Sequence, residues 1–360
     1  MALSKTIFNQ ARNKAFIHSF PAAQRQKNRG GPSMIEVNPK CCSFIIPHYG
    51  REKMLIETIE SLHRLKTQVA GDELGLEAII VTKNDTLDFD FTPLQDKLTI
   101  KVIHAPMDIT ISAQRNIGFQ SASGAVVGFL DADIELAPNW LSQLYPMLND
   151  NTKLVSAVQV ASDGASPLEI LRTELSNAHV DCTVEFLPGR NLLMKRETFI
   201  ESGGFPEHLV TCEDYVFTQK VGEQGDLYYT TASTYVHLGE DKVFSEMAKK
   251  EIWRGQSNLA SLNGRKIGLS EYPSFIAPPM FTFGLVFALM FSLLSLPSLA
   301  LFSLLASLGV LSLYTLRLYR LARPKISLFT VIKFYALYFP ARTWGTILGL
   351  LKPIATSSHT

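Results

Sequence analysis

Acidic residues are missing from the first 35 positions of this 360-residue chain, where Lys5, Arg12, Lys14, Arg25, Lys27 and Arg29 stand without a counter-charge. The same stretch lacks a continuous apolar core, which argues against a secretory signal. It reads as a poorly ordered basic arm over residues 1–39, suited to anionic lipid and sharing the acid-poor look of an organellar transit peptide. Cysteine is scarce: Cys41, Cys42, Cys182 and Cys212 form no C-x-x-C pair, which excludes a disulfide scaffold and a cysteine zinc site and suggests a reducing compartment. Net charge is almost absent, at +1, so no global field calls for nucleic acid. Charge is also absent from two apolar segments near the C-terminus, 281–296 and 299–316.

Between these extremes the chain alternates. Residues 41–47 form a short buried strand. Residues 52–66 place Leu55, Ile59 and Leu62 at helical spacing. Strand-like runs follow at 78–81, 99–103, 126–130 and 154–160, with a helix over 112–122 that turns Ala113, Ile117 and Phe119 inward. Such β-α-β alternation predicts an α/β fold with a mostly parallel, Rossmann-like sheet flanked by helices. At the end of the run 125–130 stand Asp131 and Asp133. Residues two apart on a strand face one side, and ligands of open α/β sheets bind at the carboxyl ends of strands. The two carboxylates can therefore converge on a hard divalent cation whose shell a diphosphate would complete.

Several motifs together resemble the family-2 glycosyltransferases of the membrane-anchored bacterial type. They are Ile45-Ile46-Pro47-His48-Tyr49, Ala113-Gln114-Arg115-Asn116-Ile117-Gly118, Phe129-Leu130-Asp131-Ala132-Asp133, Gly189-Arg190-Asn191-Leu192-Leu193-Met194-Lys195-Arg196, Gly203-Gly204-Phe205-Pro206-Glu207 and Cys212-Glu213-Asp214-Tyr215, in this order. The resemblance covers about 40–237. It implies a glycosyltransferase-A fold, a nucleotide-sugar donor, Mg2+ or Mn2+, and inversion at the anomeric carbon. Carried onto this chain, Asp133 matches the direct metal ligand and Asp131 the residue at the ribose and metal shell. His237 falls where some members add a metal ligand. Asp214 matches the catalytic base, with Glu213 orienting the acceptor or a neighbouring backbone group. Arg115 resembles the arginine that reaches the nucleotide, Pro47 and Tyr49 the loop that packs on the base, and Asn191 a loop residue facing the sugar. The paired Gly203 and Gly204 are expected to shape a turn, because glycine tolerates positive φ.

There are departures. Lys83 stands where an aspartate commonly holds the base, and Asp85 is the substitute. Gln-x-x-Arg-Trp, the signature of processive synthases, is missing; Trp253-Arg254-Gly255-Gln256 occupies a comparable region, and Arg254 is a candidate for the diphosphate.

The expected organisation is an arm (1–39), a catalytic nucleotide-sugar-binding domain (40–265) and a membrane region (266–360). The last comprises a hairpin over 277–316 and an interfacial or third membrane helix over 326–351, whose Lys333, Pro340 and Arg342 interrupt it. Arg265 and Lys266 before the hairpin and Arg317, Arg320, Arg323 and Lys325 after it put both flanks in the cytoplasm and the hairpin tip outside. The function expected is transfer of a single sugar at the inner (plasma) membrane, from a UDP-sugar by preference or a GDP- or dTDP-sugar, to a saccharide or lipid-linked acceptor. It serves cell-surface polysaccharide or glycolipid assembly. The alternatives are a processive polysaccharide synthase, a polyprenyl-phosphate sugar transferase, and an inactive membrane-anchored sugar-nucleotide-binding protein.

Overall fold

The computed structural model describes residues 36–69, 71–259, 262 and 271–351. The basic arm up to residue 35 and the flanking Arg265 and Lys266 lie outside the described residues. Two compact units share the chain: one takes the residues up to Ala157, Asp181–Glu207 and Phe217–Ser233, the other Val158–Val180, His208–Val216 and the residues from Thr234 onward.

The first unit starts with β1 (Asn38–His48), whose eight last residues are all buried. That continuous burial is what a parallel strand covered on both faces requires. Helix α1 (Glu52–His63) follows and buries Leu55, Ile59 and Leu62, as its spacing predicts. A short hairpin, β2 (Gln68–Val69) and β3 (Asp72–Glu73), leads to β4 (Gly75–Thr82), β5 (Leu98–His104), α2 (Ile111–Ser121), β6 (Gly124–Leu130), β7 (Ile134–Leu136), α3 (Trp140–Leu144) and β8 (Thr152–Val160). After α4 (Pro167–Ser176) come β9 (Cys182–Val184), β10 (Asn191–Lys195), α5 (Arg196–Ser202), α6 (Glu213–Gly222) and β11 (Asp226–His237).

Among the described residues, nine of these strands form one sheet in the order β5-β4-β1-β6-β10-β8-β11-β7, with β9 paired to β11. The β5-β4-β1-β6 half is parallel, as the alternation predicts. Beyond β6 the pairing turns antiparallel: β10 runs against both β6 and β8. Helix α2 lies tight on the parallel half because Gly118 has no side chain; a Cβ there would stand 2.5 Å from Ile45 Cγ2 and 3.2 Å from Val81 Cγ2.

The second unit holds α4, α7 (Phe244–Gly255), α8 (Tyr272–Leu293), α9 (Pro297–Ala322) and α10 (Leu328–Leu351). Its core joins Leu168 and Leu171 of α4, Met247 of α7, Phe281 of α8, Leu318 of α9 and Phe334, Tyr335 and Phe339 of α10. Helices α7 and α10 meet backbone to backbone: a Cβ on Gly345 or Gly349 would collide with the carbonyls of Ile252 or Gln256. Helices α8 and α9 are long and apolar enough to cross a membrane, and in their most apolar windows only 17% and 11% of residues are buried inside the protein.

Candidate active site

Asp131 follows the last residue of β6, and its backbone N–H donates to Arg190 O at 3.2 Å, tying the strand end to the chain entering β10. Three residues on, Ile134 N–H donates to the buried Thr58 Oγ1 of α1 at 3.0 Å. The turn carrying both aspartates is thus fixed from either side, and each aspartate faces an arginine. Arg115 Nη2 lies 2.8 Å from Asp131 Oδ1, and Arg51 Nη1 lies 2.9 Å from Asp133 Oδ2.

The arginines differ in kind. Arg115 is buried, 2% exposed, and its guanidinium stacks 4.9 Å from the centre of the Phe205 ring. Helix α2 buries Ser112, Gln114, Arg115 and Asn116 together with Ala113 and Phe119, while Ile117 is only half-buried. Gln114 and Asn116 use their buried amides as braces. Gln114 Nε2 donates to His48 O at 3.2 Å and to Val81 O at 2.8 Å, clamping the carboxyl ends of β1 and β4. Asn116 Nδ2 donates to Phe205 O and to Glu207 Oε1, and its Oδ1 accepts from Phe205 N–H at 3.0 Å. That fastens the Gly203–Glu207 segment, in which both glycines take left-handed φ, +80° and +76°, as expected.

Arg51 lies on the rim. It caps α1 with φ 41° and ψ 44°, a left-handed conformation that costs an L-residue roughly 1–2 kcal/mol. The preceding Gly50 is left-handed too, at φ 64°. Gly50 N–H donates to Asn84 Oδ1 at 2.8 Å, and Asn84 Nδ2 donates to Glu52 Oε1 at 3.3 Å. Asn84, rather than the exposed Asp85, is therefore the residue after β4 that turns inward. Its neighbour Lys83 donates to Ile109 O. Pro47 is buried within β1, whereas Tyr49 is 61% exposed and presents its ring to solvent. His48 is buried, with Nδ1 2.9 Å from Thr82 Oγ1, and burial lowers its pKa from the usual imidazole range.

Asn191 departs from expectation. It opens strand β10 opposite Leu130, rather than lying in a loop. It is 1% exposed, and its Nδ2 donates to Ala157 O at 3.2 Å. A sheet position next to the Asp-bearing strand fixes its backbone and turns its amide into the protein.

In the second unit, Glu213 and Asp214 start α6 as the sequence predicts. The residue before them, Cys212, holds φ +64°, and Asp214 Oδ1 accepts from Tyr215 N–H at 2.8 Å. Glu213 is buried and Asp214 half-buried. The helix start therefore presents two carboxylates on a rigid element, at the end of a helix where acidic side chains are common. Burial, followed by the charge of Asp214, pushes the Cys212 thiol up, so it has little thiolate character.

His237 Nδ1 lies 3.1 Å from Glu240 Oε2, which also accepts from Gln159 Nε2 at 3.1 Å. Arg254, the candidate for the diphosphate, donates from Nη1 to Glu251 Oε1 at 2.6 Å. Glu251 in turn faces Arg172 at 3.2 Å and Arg342 at 3.3 Å. Burial pushes the Glu251 carboxyl up, but Arg342, Arg172 and Arg254 together outweigh it and hold the pKa below its ordinary value.

Among the described residues no three His, Cys, Asp or Glu side chains gather into a metal cage. The strand end offers two carboxylates, those of Asp131 and Asp133. A cavity of about 430 Å³ lined by Asn38, Glu77, Lys101 and Ser123 lies at the other end of the sheet. Its buried Glu77 is held by Lys101, Ser43 and Ser123.

Sequence reasoning missed Arg51, Asn84 and the clamp by Gln114. Only the left-handed backbone at Gly50 and Arg51 reveals the first, and a polar side chain facing inward from a helix reveals the last.

Residues 43–210 match the profile of glycosyl transferase family 2. An uncharacterized glycosyltransferase of Haemophilus influenzae is 27% identical over 231 residues, 60% of this chain and 87% of the relative. The mannosyltransferase PcManGT from Pyrobaculum calidifontis, solved with GDP-Man and Mn2+, superposes with a TM-score of 0.51 at 16% identity, over 96% of this chain and 97% of the other. TarS of S. aureus, residues 1–349, reaches a TM-score of 0.41 at 18% identity, over 84% of this chain and 90% of that one. The mixed sheet with its flanking helices is a glycosyltransferase-A fold, and residues 43–210 form a glycosyl transferase family 2 domain.

Proposed function

We propose that this protein is an inverting glycosyltransferase that moves one sugar from a nucleoside-diphosphate donor to a hydroxyl acceptor at a membrane surface. The observation that carries this proposal is the turn after β6, where Asp131 and Asp133 are fixed at a strand end and each faces a guanidinium. A divalent cation fits there: the donors are all oxygen, which suits Mg2+ or Mn2+, and the Arg51 guanidinium already places positive charge on Asp133. The Pyrobaculum enzyme was solved with Mn2+ and GDP-Man. When bound, such a cation offsets the charge that grows on a departing diphosphate.

The chain's own residues supply the rest. Asp133 is the metal ligand and Asp131 serves ribose and the metal shell. Arg115 orients Asp131 from beneath, and its burial argues for a positioning role rather than a direct grip on the nucleotide. The exposed Tyr49 ring, beside Pro47, offers a face to the base; Asn84 and Asp85 border the same turn. Asp214 is the base, and Glu213 orients the acceptor. The acceptor oxygen forms its bond to the anomeric carbon as the bond to the diphosphate oxygen breaks. That electron pair leaves on the nucleoside diphosphate, and the hydroxyl proton passes to the Asp214 carboxylate. The transition state has oxocarbenium character.

The donor favoured is a UDP-sugar, with GDP- and dTDP-sugars as alternatives. The apolar helices α8 and α9 support a membrane location and a lipid-linked acceptor, whose effective concentration the bilayer raises. The basic residues after α9 favour the cytoplasmic face.

The test is a donor-hydrolysis and transfer screen of purified protein across nucleotide sugars with Mn2+. One donor should be consumed. Asp214→Asn should lower turnover by about 10²–10⁴-fold, the range for general-base loss, while donor binding persists. If no donor is bound or hydrolysed, or if Asp214→Asn turns over normally, the proposal fails.

A further inference from the structure

The hydrophobic hairpin formed by α8 and α9 has only one wet end. From Phe281 to Leu313 the chain has no charged residue, no tyrosine and no tryptophan. Tyr272, Tyr314, Tyr319, Tyr335 and Tyr338 stand at the other end, with the exposed Arg317, Arg320, Arg323, Lys325 and Lys333. A segment that crosses a bilayer ordinarily meets two interfaces and carries aromatic or basic anchors at both. This one has a single belt.

Packing says where the wet end stops. Thr282 Oγ1 lies 3.1 Å from Thr343 Oγ1, and Ser307 Oγ donates to Phe281 O at 3.1 Å. Phe339 of α10 sits 5.4 Å from the Phe281 ring and 5.3 Å from the Tyr314 ring. Residues 281–282, 307 and 339–343 are therefore at one level. At that level Arg342 reaches the buried Glu251 of α7, and α7 carries the exposed Lys249 and Lys250. Those ammonium groups belong in water or among lipid head groups, not in hydrocarbon.

In the hairpin, Phe283 to Leu293 and Pro297 to Ala306 lie beyond this level. Eleven and ten helical residues reach about 16 and 15 Å, half of a hydrocarbon core of about 30 Å. The tip is apolar as well: Leu293, Leu294 and Leu296 are 78%, 60% and 43% exposed. A loop emerging into water would carry polar turn residues. Here the turn is Leu294-Ser295-Leu296-Pro297, with Ser295 at φ 57°.

We infer that the α8–α9 hairpin dips into one leaflet and ends near the bilayer midplane, with α10 and the basic residues lying along the anionic head groups of that leaflet. This replaces the expectation of a tip on the far side. It rests on the membrane location in the proposed function, and not on the enzymatic part.

The test uses the full chain in sealed vesicles of phosphatidylethanolamine and phosphatidylglycerol, with the wild-type chain as background for its own cysteines. Ser295→Cys and Ser298→Cys should react with a membrane-impermeant maleimide neither from outside nor after a pore-forming peptide opens the lumen, and only once detergent dissolves the bilayer. Lys249→Cys, at the wet end, should react without detergent. Tip labelling on the face opposite Lys249→Cys means a crossing and overturns the inference. Tip labelling on the same face, or release of the protein by alkaline carbonate, overturns it by showing no insertion. A protected tip in a protein that hydrolyses no nucleotide sugar would sink the enzymatic proposal and leave the topology standing.

Discussion

Replacing Arg51 by alanine probes the proposed cation site directly. At about 4 Å and an effective dielectric of about 20, opposite unit charges attract by about 4 kcal/mol. Arg51 is 60% exposed at its side chain while Asp133 is 6% exposed. Solvation of the arginine returns most of that attraction, leaving about 1 kcal/mol, the usual scale for a pair with one wet partner. An incoming cation must displace this pair. Removing Arg51 should therefore tighten Mn2+ binding by about 5-fold, the equivalent of 1 kcal/mol. The assay is direct Mn2+ titration by electron paramagnetic resonance without donor, so that any contact of Arg51 with the diphosphate does not enter. Arg51→Lys should fall between wild type and alanine. Arg51→Gly keeps the left-handed backbone at no steric cost, so it should behave like alanine if charge decides the outcome. Unchanged or weaker Mn2+ binding in Arg51→Ala would refute competition for Asp133. Tightening in alanine but not in glycine would assign the effect to the turn.

Three further outcomes are expected. Asp133→Ala should weaken nucleotide-sugar binding in the presence of Mn2+ and change it little without metal, as read by calorimetry in both conditions. Gly118→Ala should lower stability by about 1–3 kcal/mol, the usual cost of overpacking a core, because the new methyl meets Ile45 and Val81; thermal unfolding measures this. Glu251 is held below its ordinary value of 4.5 by three arginines, so its contribution is present above that value and is lost as pH falls through the lower folded value. Wild type should therefore lose thermal stability on acidification below about 4.5, whereas Glu251→Gln should start roughly 3–5 kcal/mol less stable and show a flatter pH profile.

In the parallel half of the sheet, β1, β4 and β6 were legible because they are buried along most of their length and so read as apolar runs, whereas the edge strand β5 is largely exposed. Helix α1 was legible because Leu55, Ile59 and Leu62 keep one period. Helix α2 was only half legible. Its apolar pattern is weak because Ser112, Gln114, Arg115 and Asn116 all take buried positions, and polar residues on a buried face defeat a hydrophobic count. Arg115 could thus be read as a surface or nucleotide-facing side chain, when it lies beneath Asp131. The antiparallel β10 was hidden because Asn191 and Lys195, at its ends, look like loop residues, and pairing partners far along the chain leave no local mark. Arg51 gave no signal at all, since nothing in an arginine announces φ 41°. The hairpin was found from hydropathy, but its depth depends on which residues α10 and α7 cover, and that is a tertiary fact.

The threading of the chain through its two units bears on how the protein can be dissected. Leu168, Leu171 and Met247 find their apolar neighbours on α8, α9 and α10, and Glu251 finds one of its three guanidinium partners on α10. A soluble fragment truncated before 266 would keep the aspartates after β6 but strip the lining from beneath α4 and α7. It would also leave Glu251 short of a counter-ion, in the same unit that carries Asp214. Fragments of that length would keep the strand-end aspartates without the packing that supports α4 and α7, so a chain that runs through α10, in detergent or lipid nanodiscs, is the form in which the proposed transfer is to be tested.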